Sequence, residues 1–439
     1  MKNWLSYSII ASSILLSTGL TDILPNIQVA SAFAADKSTD SSVEKKRRRT
    51  PALGARVYSQ LARAQELADK GNVAEGLEVL DQVKSKSSSL NSYEKAMMFN
   101  FYGFIYYNAE RVDEALASFE QVVKQNPIPE SLEKGTLFSL SQLAMASGKY
   151  DKTLQYLEQW EQVDGGKIPV KNYVLKAQAT YQQKDYSAAA GYIDQAIELQ
   201  VADGFLAEES WYVLQRAVYF ELKQPAKVAA VLENMVRLFN KPEYWLQLGG
   251  MYGEIGEEGK QLAVLEAAFQ QGYVTKRSDL RNLSQVYYLN GLPFKAAQVI
   301  EKGFELGALN KDDKTLSFLA QSYVGAKEYD KAVATYQTLA DISDTGVASQ
   351  QIAEIRLQQG RFEETVVAAK AAAKRGKLDN PGNLYLALGM ANFNLKQFDQ
   401  ALQAFEQAKA YKNAKKMAQQ WLKFVEREQN NARQLAASL

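Results

Sequence analysis

The strongest constraint in this chain is a spacing. A small residue stands twelve positions ahead of another, and the pair recurs: Gly103 before Ala115, Ala177 before Ala189, Ala320 before Ala332, Gly389 before Ala401. Over all copies the leading positions are Ala64, Gly103, Ser141, Ala177, Arg216, Gly249, Ser284, Ala320, Ala353 and Gly389. Their partners are Gly76, Ala115, Thr153, Ala189, Val228, Gln261, Ala296, Ala332, Thr365 and Ala401, successive ones lying 33 to 39 residues apart. That period accommodates two short helices with tight connections, and a repeat of this size commits the architecture. Such helices are too short to hold their shape alone in water. Stability has to come from neighbours stacking around one continuous core.

The residues around each pair suit that scheme. Small side chains at a crossing let two helices approach, and enlarging one would overpack the contact. Large apolar residues flank the crossings, among them Tyr102, Tyr106 and Phe119, then Trp245, Leu248, Tyr252 and Leu265, then Leu319, Tyr323, Tyr329 and Tyr336. Breaks fall just before the second helices, at Gly148-Lys149, Lys184-Asp185, Gly256-Glu257, Gly360-Arg361 and Lys396-Gln397. Asn126-Pro127 ends another helix, because proline cannot continue one. The expected fold is all-α, an α-solenoid of about ten helix hairpins over residues 57–412. Two copies depart from the pattern: the fifth carries Arg216 and Val228 at its crossing, and the ninth has Arg356 where an aromatic usually stands. A change of curvature is expected there. Residues 413–439 read as a C-terminal capping helix and tail, the helix covering Lys415 to Ala436 with Met417, Trp421, Phe424 and Val425 as its apolar stripe.

Composition narrows the function. The 51 Lys+Arg against 50 Asp+Glu leave a net charge of +1, which lacks the basic excess of a nucleic-acid binder. The chain has no cysteine, which removes disulfides and thiolate metal sites. It has no histidine either, which removes the commonest general base and transition-metal ligand. No Ser-His-Asp or Cys-His mechanism is available. The adjacent carboxylates Glu257-Glu258, Asp312-Asp313 and Glu363-Glu364 fall at turns or helix starts, where acidic groups favour the helix dipole. The expectation is therefore no enzyme, no catalytic residues, no cofactor and no metal.

The N-terminus reads as an address. Lys2 precedes an apolar stretch from Tyr7 to Leu20, and small-x-small exits follow at Ala30-Ser31-Ala32 and Ala32-Phe33-Ala34. Residues 1–34 thus have the order of a secretory signal peptide, with cleavage expected near Ala34. The stretch of fourteen residues is short of the roughly 20 an anchor helix needs to span hydrocarbon. Residues 35–56 are polar, without helical periodicity, and read as a disordered basic linker. Its run Lys45 to Arg49 has the chemistry to touch anionic lipid or an acidic partner, which would allow peripheral membrane association; composition alone favours a solvated tail.

Four stretches carry a resemblance to the tetratricopeptide repeat family: Asn100 to Pro127, Trp245 to Phe269, Leu319 to Tyr336 and Leu386 to Ala408. The resemblance implies a right-handed superhelix whose concave side, lined by first helices, binds extended or helical peptides. The residue just after each first-helix small residue should face that groove. Those residues are Gln65, Phe104, Gln142, Gln178, Ala217, Gly250, Gln285, Gln321, Glu354 and Met390, and five of the ten are glutamine. A side-chain amide both donates and accepts, so it can read the backbone of an extended peptide. Asn100, Tyr107, Asn108, Tyr181, Arg281 and Tyr288 are further groove candidates, the aromatics as hot spots. The same glutamines also suit a merely solvated helical face.

A narrower likeness runs through Asn91 to Tyr107, Pro129 to Leu143, Arg216 to Val236 and Leu292 to Phe304. These stretches resemble periplasmic tetratricopeptide proteins encoded beside TonB-ExbB-ExbD energy-transduction systems of gamma-proteobacteria. The likeness implies a periplasmic adaptor for TonB-dependent uptake of iron-siderophore ligands, with TonB, ExbB/ExbD or a related envelope component as partner. Two rival expectations stand beside it. One is a scaffold for outer-membrane protein, pilus or polysaccharide export machinery. The other is an enzyme or enzyme activator acting on peptidoglycan, which the missing His and Cys disfavour.

Overall fold

The computed structural model describes residues 48–166 and 168–437. The expected signal peptide and most of the basic run lie outside the described residues. Among the described residues the structure is all-helical, with 21 α-helices, one 3₁₀ turn at Ser87–Ser89 and no strand. It divides into two compact units. The first runs to Phe239 and holds α1 (Ala55–Asp69), α2 (Val73–Lys84), α3 (Ser92–Asn108), α4 (Val112–Val123), α5 (Glu130–Ala146), α6 (Tyr150–Asp164), α7 (Val170–Gln182), α8 (Tyr186–Ala202), α9 (Glu209–Glu221) and α10 (Pro225–Phe239). The second starts at Asn240. It holds α11 (Pro242–Glu254), α12 (Glu258–Gln270), α13 (Arg277–Leu289), α14 (Pro293–Glu305), α15 (Asp313–Gly325), α16 (Tyr329–Ile342), α17 (Val347–Gln358), α18 (Phe362–Arg375), α19 (Pro381–Asn394), α20 (Phe398–Lys409) and α21 (Lys415–Ala437). Helices pair in sequence as hairpins, and each hairpin packs on the next within its unit, as an α-solenoid does.

The hairpins close by one device. The residue two before each second helix adopts a left-handed backbone; glycine provides it at Gly71, Gly148, Gly256, Gly291 and Gly360. Glu110, Lys184, Lys223, Lys327 and Lys396 adopt it without glycine's freedom. In the second hairpin, Glu110 and Arg111 donate back to the carbonyls of Tyr107 and Tyr106, so the end of α3 is satisfied while the chain reverses.

At the crossings, close approach explains the small residues. A methyl group on Gly103 would stand 2.5 Å from the Phe119 ring, and one on Gly389 would stand 2.6 Å from the Phe405 ring. A large residue four past the second-helix crossing position fills the space that the first helix leaves. Phe119, Phe405, Leu157 and Ile193 are all buried this way.

Neighbouring hairpins are tied by a second device. Tyr102 of α3 donates its hydroxyl to Asp81 of α2, Tyr219 of α9 to Asp194 of α8, and Tyr323 of α15 to Glu301 of α14. Tyr156 of α6 reaches Glu120 of α4 at 2.5 Å. Each carboxylate lies five residues past the second-helix crossing position. Tyr287 faces Glu266 at the same position, and burial with that charge pushes its phenol up to about 12.

Two expectations need correction. The basic linker makes specific contacts from Arg48 onward, and α1 begins at Ala55 rather than 57. Arg48 pairs with Glu133 of α5, Asn91 donates to the Ala52 carbonyl at 3.0 Å, and the Gly54 N–H reaches Glu94 at 3.1 Å. Leu53 packs against the buried cluster of the first two hairpins, so one apolar side chain and two satisfied backbone groups hold a stretch whose composition reads as linker. In α21 the buried stripe is Ala418, Leu422 and Val425, continued by Ala414 just before the helix and with Trp421 beside it, while Met417 and Phe424 are exposed. The helix is rotated because Trp421 stacks flat on Phe405 at 5.4 Å, which turns the small alanines inward.

Candidate partner-binding face

The first helices form the inner side of each unit. Successive first helices touch, α1 with α3 and α7 with α9 in the first unit and α17 with α19 in the second, whereas successive second helices show no comparable contact. A side chain on the free face of a first helix therefore points into the tighter side of the stack.

In the first unit that side carries Gln65, Asn100, Phe104, Tyr107, Asn108, Gln142, Gln178 and Tyr181. Asn108 is exposed and the other seven are half-buried. Gln65 donates to Asp69 at 2.7 Å and lines a cleft of about 370 Å3 with Tyr58, Glu66 and Phe101. Phe104 meets Phe119 edge-on at 5.3 Å, so it also covers the α3–α4 crossing. Tyr181 packs 5.5 Å from Tyr186, and burial raises the phenols of Tyr107 and Tyr181. Ala217 is the exception along the row: it is buried, in the hairpin whose crossing position holds Arg216.

In the second unit Gln285, Tyr288 and Gln321 are exposed on α13 and α15. The two helices are joined on this side, because Tyr288 and Phe318 meet at 5.5 Å. Arg281 is committed elsewhere: it donates to Thr315 at 3.1 Å and lies 3.6 Å from Asp312. Asp312 caps α15 by accepting from the Thr315 N–H at 2.9 Å, and that bond, with Arg281 beside it, holds its carboxyl below the usual range. Arg281 thus positions a helix start rather than offering a free cation to a ligand. Gly250, Glu354 and Met390 are half-buried.

The chemistry on offer is recognition. Amides that can donate and accept alternate with partly exposed phenols, on helices whose backbones are already satisfied. The adjacent carboxylates serve helix starts: Glu257 precedes α12, Asp312 caps α15, and Glu363 and Glu364 open α18. Among the described residues no cluster of acidic side chains has the geometry to hold a metal ion, and no helix is long and apolar enough to cross a membrane. Following one position per helix missed Tyr58, Glu66 and Phe101 of the first cleft. A scan for partly exposed aromatics two turns to either side of Gln65 would have found Tyr58.

Residues 382–415, spanning α19, α20 and the approach to α21, match the family model described as tetratricopeptide repeat. The tenth hairpin thus matches the tetratricopeptide repeat, within a chain that the structure shows as a stack of helical hairpins. No curated protein matches the chain. Among solved structures, the C-terminal part of a TPR repeat-containing protein from Cytophaga hutchinsonii is 16% identical, with a TM-score of 0.41, covering 59% of this chain and 99% of that one. YrrB, a TPR protein with an unusual peptide-binding site, is 13% identical with a TM-score of 0.34, covering 44% of this chain and 97% of that one. A tetratricopeptide repeat protein from Parabacteroides merdae is 13% identical with a TM-score of 0.30, covering 58% of this chain and 98% of that one. At these identities and TM-scores the likeness says nothing of what this chain does.

Proposed function

We propose that this chain is a non-catalytic scaffold that holds a protein or peptide partner against its first-helix faces. The observation that carries this reading is the glutamine row. Gln142 and Gln178 in one unit, and Gln285 and Gln321 in the other, keep surface access on the inner side, one residue from crossing positions that are closed. Partly exposed Tyr107, Tyr181 and Tyr288 stand beside them and supply contact area at low entropic cost. The finer reading is a periplasmic adaptor of a TonB-dependent outer-membrane uptake system. It is supported by the signal-like N-terminus and by the likeness of Asn91 to Tyr107 and Pro129 to Leu143 to the proteins encoded beside TonB-ExbB-ExbD.

A photo-crosslinking residue at Gln285 or Gln321 in intact cells tests both levels. Capture of TonB, ExbB or ExbD supports the adaptor. Capture of an outer-membrane assembly or export component replaces it with the envelope-assembly scaffold. With the captured partner in hand, Gln285→Ala with Gln321→Ala should weaken binding about tenfold, as expected from two lost hydrogen bonds of roughly 0.5–1.5 kcal/mol each. Unchanged affinity with an intact fold would remove the amides from the site.

A further inference from the structure

Charge is unevenly spread along this chain. From Lys409 to the last residue there are seven basic side chains and two acidic ones, so the remainder, in a chain of net charge +1, is slightly acidic. The basic excess falls on α21 and the turn before it. Lys409 is paired with Glu406, and Arg427 lies 3.6 Å from Glu428 with its guanidinium over the Phe424 ring. Lys412, Lys415, Lys416, Lys423 and Arg433 are exposed and have no acidic partner among the described residues.

The helix sorts these groups by face. Ala418, Leu422 and Val425 dock it on α19 and α20. At 3.6 residues per turn, Lys416, Lys423 and Arg427 fall within about 40° of one another on the opposite side. The exposed amides of Gln420, Asn430, Asn431 and Gln434 share that side, and Glu426 and Glu428 fall on its two flanks. Met417, 48% exposed, borders the cations. So does Phe424, 37% exposed although its ring also meets Phe393 at 5.2 Å. The end of a helical stack needs a polar lid, and mixed charges would serve that need. The outer stripe of this lid carries one sign.

Shape narrows the ligand. The helix has 23 residues, about 35 Å at the helical rise, and its outer side is convex. It lines neither the cleft beside Gln65 nor a groove of about 780 Å3 that opens over Ile352 between α16 and α18. A protein partner would need a hollow to seat its anchor residues. A lipid surface needs none, and its phosphates accept from ammonium, guanidinium and amide groups alike.

We propose that the outer stripe of α21 docks on an anionic phospholipid surface, a site separate from the first-helix faces. Lys416, Lys423 and Arg427 meet the lipid phosphates, and Lys412 adds to the field at the start of the helix. Met417 and Phe424 rest at the headgroup boundary. The association is peripheral and reversible, because charge rather than inserted apolar area supplies most of it.

The chain has no cysteine, so a nitroxide can be placed at one position at a time. Full chains labelled at Met417→Cys, or at Val367→Cys on α18 as an exposed reference, are mixed with phosphatidylglycerol or phosphatidylcholine vesicles. Phosphatidylglycerol should cut the access of an aqueous relaxation reagent to the 417 label several-fold and leave the 367 label unchanged. Phosphatidylcholine should change neither. Lys416→Glu with Lys423→Glu and Arg427→Glu should weaken the partitioning about a hundredfold, at about fivefold per cation. High salt should release the native chain. An unshielded 417 label, equal shielding of both labels, shielding by phosphatidylcholine, or shielding that survives the charge reversal would each overturn the assignment.

Discussion

Two consecutive junctions in the second unit use the same places in the repeat for different chemistry. Between the seventh and eighth hairpins, Tyr323 of α15 donates to Glu301 of α14, and Tyr336 fills the crossing below. Between the eighth and ninth, the corresponding positions hold Arg356 and Gln337. Arg356 turns instead to Asp330 at 2.8 Å and Glu364 at 2.7 Å, and the filling position below is Ala369. The first junction is closed by an aromatic body and one buried polar contact. The second is held by a partly solvated ion network over alanines, and a groove opens beside it. The repeat thus tolerates the loss of its aromatic clamp as a fold while changing the surface it presents.

The contrast can be broken most severely at the filling position. Tyr336→Ala should cost about 3–5 kcal/mol, because a buried aromatic leaves a cavity that the crossing cannot close. Denaturant unfolding would read this, and a loss under about 1 kcal/mol would mean the junction does not rest on that ring. Ala332→Leu at the same crossing should cost about 1–3 kcal/mol through overpacking, and an unchanged melting temperature would count against the assigned phase.

Tyr323→Phe is expected to cost about 1 kcal/mol, since Glu301 can recover water. It also has a pH signature. Burial first, then the Glu301 carboxylate, raise the Tyr323 phenol above its ordinary 10.0. A neutral group with a raised folded value stabilises fully below its unfolded value and loses that contribution as pH climbs above it. Alkaline titration should therefore show stability falling from about pH 10 upward, with a shallower fall in Tyr323→Phe. Equal slopes would remove the clamp from the account.

The smallest effect is the most informative. Arg356→Tyr with Gln337→Glu copies the seventh junction onto the eighth, exchanging an ion network whose carboxylates are exposed for one phenol–carboxylate contact. The net change should stay within about 1 kcal/mol, because such networks contribute little. The double variant should acquire the alkaline sensitivity expected of Tyr323. Retention of the wild-type alkaline profile would show that the clamp needs more than its two residues.

Much of this was legible in the one-dimensional pattern. The spacing of Gly103 to Ala115 and of Gly389 to Ala401 marks helix crossings, and Gly148, Lys184 and Lys396 mark the reversals. The tyrosine–carboxylate clamps are equally periodic, but a polar residue on a second helix looks like any solvated position until the next hairpin is placed over it. Of the groove candidates, exposure of Gln285, Tyr288 and Gln321 separates them from Phe104 and Arg281, which packing and capping engage. Nothing in the spacing distinguishes those fates, because a residue's availability depends on the neighbour hairpin.

What the amino-acid order settled by itself is the local rule: helix, reversal, helix, with small residues where backbones meet. Each element of that rule acts within one hairpin, across contacts a few residues to a few turns apart, so it is written in short-range spacing. What only the tertiary structure decided is which faces stay open. The rotation of α21 around Trp421, the docking of residues 48–54 on α3 and α5, and the groove over Ala368 and Ala371 all come from the fit of one hairpin against another. That fit is set by summed side-chain volume across separate repeats, a quantity no single repeat contains.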